Sequence, residues 1–132
     1  MFIDTSAIIA LLAGEPDADH MADRISKSAV RYTSGLVILE ACMRLSTLLD
    51  LDPMLIETRV EALLGQAGIE VIAIDDNISK KAVAAYAAFG KGRGHPAQLN
   101  LADCMSYACA KSCRVPRPFK GNDFAQTDIR SA

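Results

Sequence analysis

Residues 1–12, MFIDTSAIIALL, set a carboxylate at Asp4 directly behind Phe2-Ile3 and ahead of a second apolar run. A charge placed where a buried segment ends reads as a strand, Phe2 to Asp4, that carries an acid to the end of a sheet. A short helix from Ala7 to Leu12 follows it. Gly14, Glu15 and Pro16 break that helix, and Asp17 to Ser28 reads as a second one. The alternation then continues. Val30 to Thr33 is a candidate strand, and Thr33 or Ser34 can cap the helix GLVILEACMRLSTLL over residues 35–49. Its apolar residues Leu36, Leu39, Cys42, Leu45 and Leu49 recur at helical spacing. Asp52-Pro53 opens a helix to about Ala67, and Gly68 stops it.

Glu70 to Ile74 (EVIAI) is an apolar, β-branched run and is expected to be a buried strand. Asp76 to Phe89 is helical again. Gly90 to Gln98 (GKGRGHPAQ) is a glycine-rich loop, and Asn100 can cap a helix from Leu101 to about Ser112. A last, short strand is expected near Phe119, because Pro116 and Pro118 in VPRPFK cannot donate to a ladder. Strands separated by helices imply right-handed crossovers and a parallel sheet covered on both faces, an α/β fold.

The chain of 132 residues is expected to be a single domain over 1–132. No apolar run is long enough to span a bilayer. Asp4 interrupts the first one, and no basic region precedes it as in a signal peptide. The expectation is a cytoplasmic protein without a membrane partner. Cys42, Cys104, Cys109 and Cys113 form no Cys-x-x-Cys pair and read as small buried hydrophobes. A net charge of −2 means that any nucleic-acid partner must be met by a local basic patch.

In open parallel sheets, ligands bind beyond the carboxyl ends of the strands. Asp4 ends the first strand, and Asp123 lies past the last one in a Gly-Asn-Asp turn. Glu40 stands in the second turn of the helix after the second strand, and Asp103 in the first turn of its helix. Each has an ordinary alternative: an N-cap for Asp4, an ion pair with Arg44 for Glu40, a helix dipole for Asp103, a turn for Asp123. Four acids expected at one rim would repel one another unless a cation sits between them. Carboxylate oxygens suit a hard divalent ion such as Mg²⁺ or Mn²⁺.

FIDTSAI (2–8), the acid in VILEACMRL (37–45), HPAQLNLADCMSYACAK (95–111) and FKGNDFAQTDI (119–129) together resemble the PIN-domain ribonucleases. Among these, the sequence is most similar to the VapC-type toxins of type II toxin–antitoxin pairs. The stretch from Asp50 to Ala88 matches only in helical character. The resemblance implies a PIN-like three-layer α/β/α sandwich with a parallel sheet of about five strands. It implies hydrolysis of RNA phosphodiester bonds at a Mg²⁺ site where Mn²⁺ can substitute. The family's four acids fall on Asp4, Glu40, Asp103 and Asp123. Asp128 is a secondary candidate, as are Thr5 and Ser6, whose hydroxyls would support the metal or an acid. Lys91, Arg93 and His95 in the glycine-rich loop are candidate RNA contacts, with Lys120 and Arg117 behind them.

The resemblance also implies a homodimer or dimer of dimers, a cognate VapB-type antitoxin, and operator DNA bound only through that antitoxin. Asn122 departs from the family pattern, in which its place is often acidic. A haloacid-dehalogenase-type phosphatase would need a second Asp two residues after Asp4, where this chain has Ser6. The remaining alternative is a catalytically weak PIN-fold module that works through antitoxin and operator binding.

Overall fold

The computed structural model describes residues 1–116 and 127–129. Phe2 bridges in parallel to Tyr32. Ile3 N–H donates to the Tyr32 carbonyl at 2.7 Å, and Tyr32 N–H to the Met1 carbonyl at 2.8 Å. On its other side the same segment is held by Phe2 N–H donating to the Pro116 carbonyl at 2.9 Å. Strand β1 (Tyr32–Ser34) pairs in parallel with β2 (Glu70–Ile72), Thr33 opposite Val71.

Among the described residues the sheet is therefore narrower than the five strands expected. The first segment contributes a bridge instead of a ladder, and the strand expected near Phe119 lies outside the described residues. The buried strand expected at Glu70 to Ile74 is corrected: it is three residues long, and Glu70 and Val71 are exposed. Among the described residues β2 pairs only with β1, so it forms an edge, and an edge strand keeps one side in solvent.

Helix positions follow the local signals closely. They are α1 (Thr5–Ala13), α2 (Ala18–Ser26), α3 (Gly35–Leu49), α4 (Pro53–Ala67), α5 (Asp76–Phe89) and α6 (Leu101–Cys113). Side-chain oxygens of Asp4, Ser34, Asp52, Asp75 and Asn100 accept the first free N–H groups of α1, α3, α4, α5 and α6. Each such cap contributes about 1 kcal/mol. Gly14 and Gly68 close α1 and α4 with φ of 65° and 61°, a conformation that glycine adopts without strain.

α1 packs on α2 and α3, α3 on α4 and α6, and α5 on α6, giving the α/β/α arrangement around Phe2, Ile3, Ile8, Leu45, Ile56, Val60 and Leu99. All four cysteines are free thiols, and Cys42, Cys104 and Cys109 are buried. Burial pushes the Cys109 thiol up to about 12. Among the described residues no helix is long and apolar enough to cross a membrane.

Candidate active site

Asp4 and Ser34 follow neighbouring parallel segments, so α1 and α3 both begin at the carboxyl rim of the sheet. Asp4 is only 7% exposed. Its Oδ1 accepts from Ala7 N–H at 3.1 Å and from Ser6 Oγ at 2.9 Å, so the carboxylate is aimed by its own helix. Ser6, not Thr5, supplies that hydroxyl; Thr5 is the buried first residue of α1. Thr33 does not cap α3. Its hydroxyl donates to the Ile3 carbonyl at 2.8 Å and ties β1 to the residue before Asp4. The sequence offers Thr33 as a strand residue or a cap, and its position beside a capping serine leaves no signal for the side-chain bond across the strands.

Glu40 lies half-buried in the second turn of α3, and among the described residues no Glu40–Arg44 ion pair forms. Asp103 occupies the third position of α6 in a capping box. Its N–H donates to Asn100 Oδ1 at 2.9 Å, and Asn100 N–H donates to Asp103 Oδ2 at 3.1 Å. The cap and dipole readings of Asp4 and Asp103 thus hold as local structure, and both carboxylates sit at helix N-termini, where negative charge is favoured. The helices bearing the three acids are neighbours, since α3 packs on both α1 and α6. Among the described residues no three His, Cys, Asp or Glu side chains are grouped to hold a metal ion. The fourth acid, Asp123, lies outside the described residues, as do Arg117 and Lys120. The donors are carboxylate oxygens, a chemistry that fits Mg²⁺ or Mn²⁺ and not a thiolate-seeking ion.

The glycine-rich loop is closed at its base. Leu99 N–H donates to the Phe89 carbonyl and Lys91 N–H to the Leu99 carbonyl, each at 2.9 Å. At Gly90 a Cβ would lie 2.4 Å from the Tyr86 carbonyl oxygen, so only glycine fits. Gly92 and Gly94 turn the tip with φ of 83° and 80°. Lys91 and Arg93 are exposed there, and the Arg93 guanidinium stands 6.0 Å from the centre of the Tyr86 ring. His95 turns inward: its Nδ1 accepts from Ala97 N–H at 3.1 Å and its ring meets Phe89 edge-on at 4.9 Å. Buried Leu99 then hands the chain to Asn100, so the loop base sets where α6 and Asp103 begin.

Asp128 is placed differently from the other acids. Tyr107 and Lys111, one turn apart on α6, both donate to it, Lys111 Nζ at 2.8 Å. The Lys111 ammonium, and after it the Tyr107 hydroxyl, hold its carboxyl below the ordinary value. Burial, then the Asp128 charge, drives the Tyr107 phenol above its ordinary range.

Known proteins are similar to this chain in sequence and fold. The PIN domain family model covers residues 1–129. Ribonuclease VapC28 of Mycobacterium tuberculosis is 42% identical over 132 residues, spanning all of this chain and 97% of that protein. Ribonuclease VapC42 of the same species is 39% identical over all of this chain and 98% of that protein. Among solved structures, Mycobacterium tuberculosis VapC20, described as a sarcin–ricin loop cleaving toxin, superposes with a TM-score of 0.75. That alignment has 18% identity and covers 99% of this chain and 97% of that one. A toxin–antitoxin complex from Klebsiella pneumoniae gives 0.69 at 20% identity, covering 94% and 89%. These two show the shared fold. With a family match that runs from Met1 to Ile129 and relatives aligned end to end, the chain belongs to the PIN domain family, in its VapC-type branch.

Proposed function

We propose that this protein is a Mg²⁺-dependent endoribonuclease, with Mn²⁺ able to substitute, that hydrolyses RNA phosphodiester bonds as the toxin of a type II pair. The observation that carries the proposal is Asp4: a carboxylate almost wholly buried at a helix N-terminus, aimed by Ser6 and Ala7, on the rim where α3 also begins. The ribonuclease names of the full-length relatives support it.

Asp4, Glu40, Asp103 and Asp123 would hold the metal. When bound, the ion supplies charge neutralisation at the phosphate and a lower pKa for its water. The chain's own residues do the rest. Ser6 and the first turn of α1 fix the direction of Asp4, and Asn100 fixes Asp103, so neither must reorganise during the reaction. Glu40, on the adjacent helix, would hold a second metal ion or orient the attacking water. In-line attack by water breaks the bond from phosphorus to the 3′-oxygen; the water gives up a proton to solvent and the leaving oxygen takes one from solvent, leaving a 5′-phosphate and a 3′-hydroxyl. Lys91, Arg93, His95 and Lys120 draw in the RNA backbone against the repulsion of the acids.

A cognate VapB-type antitoxin silences the site, the toxin works as a homodimer or dimer of dimers in the cytoplasm, and operator DNA is reached only through the antitoxin. Residues 1–132 act as one domain.

The test is cleavage of a mixed cellular RNA pool by antitoxin-free protein, with Mg²⁺ or Mn²⁺ against EDTA, beside Asp4→Asn. Metal-dependent cutting lost in a folded variant is the expected result. No cutting by folded parent under either metal would favour the catalytically weak binding module instead.

A further inference from the structure

Both oxygens of the Asp128 carboxylate are taken by donors on one helix. The Tyr107 hydroxyl donates to Oδ1 and Lys111 Nζ donates to Oδ2 at 2.8 Å. An ammonium already stands where a cation would bind, so a metal there would have to displace it against its like charge. Around this pair the chain is fastened. Ile129 is buried, Thr127 Oγ1 accepts from Ile129 N–H at 3.3 Å, and the Tyr107 ring packs 5.6 Å from Phe89.

We infer that Asp128 is a positioning residue and not a metal ligand: it clamps the segment after Gln126 to α6, the helix whose first turn carries Asp103. The preceding boundary is fastened as well. The Pro116 carbonyl accepts from Phe2 N–H at 2.9 Å, two residues before Asp4. Pro116 is thus held beside the Asp4 segment and Asp128 on the Asp103 helix, and Asp123 lies between these two anchors in the sequence. The inference rests on the nuclease reading above, in which Asp123 completes the acid set.

The experiment follows Mn²⁺ binding by electron paramagnetic resonance in the parent, Asp4→Asn, Asp128→Asn and Tyr107→Phe. Values of kcat and KM at saturating metal, and Tm, are measured beside it. Asp4→Asn is expected to lose Mn²⁺ binding. Asp128→Asn and Tyr107→Phe are expected to keep it within about two-fold while each loses about ten-fold in kcat, the scale of an outer support. KM for RNA should stay unchanged, and the double variant should lose no more than either single one. Reversing the pair with Lys111→Asp and Asp128→Lys together should recover kcat that each reversal alone removes.

Loss of Mn²⁺ binding in Asp128→Asn would make it a ligand and overturn the inference. A lower Tm with unchanged kcat would overturn it too, leaving a merely structural pair. If the parent itself neither binds Mn²⁺ nor cleaves, the nuclease reading fails and the inference fails with it; with an active parent, only the inference is at stake.

Discussion

Ser6 Oγ donates to Asp4 Oδ1 at 2.9 Å, beside the Ala7 N–H of the helix. Ser6→Ala is expected to leave the fold intact at a cost of about 1 kcal/mol. Cleavage should slow by about ten-fold, as for lost outer support of a ligand, when kcat and Tm are measured together. At Gly90 the constraint is steric: Gly90→Ala drives a methyl into the Tyr86 carbonyl and should cost about 1–3 kcal/mol in urea denaturation. Asp128 and Tyr107 give a pH signature with two limbs. The carboxyl of Asp128 is lowered by Lys111 and then Tyr107, so its contribution is present above the ordinary value of 3.8 and is lost as pH falls through the folded value. Tyr107 is raised by burial and then by Asp128, so its contribution is present below the ordinary value of 10.0 and is lost as pH rises through the folded value. The Tm difference between the parent and Asp128→Asn should therefore hold across neutral pH and shrink in strong acid.

The helices could be read from sequence because their signals are local: Ser34, Asp52, Asp75 and Asn100 each cap the residue run that follows them. The strands could not be bounded as well, because exposure depends on which strand lies alongside, and nothing inside EVIAI reports that β2 pairs only with β1 among the described residues. Two helix ends depart from the glycine rule. Asp50 and Arg114 follow α3 and α6 with φ of 52° and 54°. Arg114→Gly is expected to raise stability by up to about 1 kcal/mol, read as a higher urea midpoint, because it relieves left-handed strain on a long side chain. Arg31 works across elements. Its Nε, Nη1 and Nη2 donate to the carbonyls of Ile25, Ala67 and Ser26 at 2.8, 2.6 and 3.0 Å, tying the ends of α2 and α4 to the start of β1. Arg31→Met should cost about 2–3 kcal/mol, since three carbonyls lose a charged donor.

Across the whole molecule, the elements that carry Asp4, Glu40 and Asp103 could be read from chain order, and α3 packs on both α1 and α6; among the described residues the three carboxylates are not grouped as a metal site. The ordered base of the glycine-rich loop was not legible. Its closure depends on Leu99 meeting Phe89 and on the tight approach at Gly90, both tertiary facts. The inward turn of His95 was hidden for the same reason, since the Phe89 ring it meets belongs to another element. If the acids share a cation, saturating Mg²⁺ should raise the parent's Tm, by about 2.7 kcal/mol of stability at a hundred-fold excess over Kd, and should leave Asp4→Asn unmoved. Differential scanning fluorimetry reads this without any RNA.

The closed base of that loop also separates what can vary from what cannot. Two hydrogen bonds lock Phe89 and Lys91 to Leu99, while residues 91–94 project beyond them into solvent. Length and charge at the tip can therefore drift between relatives without moving the start of α6. If the tip meets RNA as proposed, new targets can be tried by rewriting a few exposed residues while Asp103 stays in register. On that reading, target choice and bond cleavage are free to change at different rates.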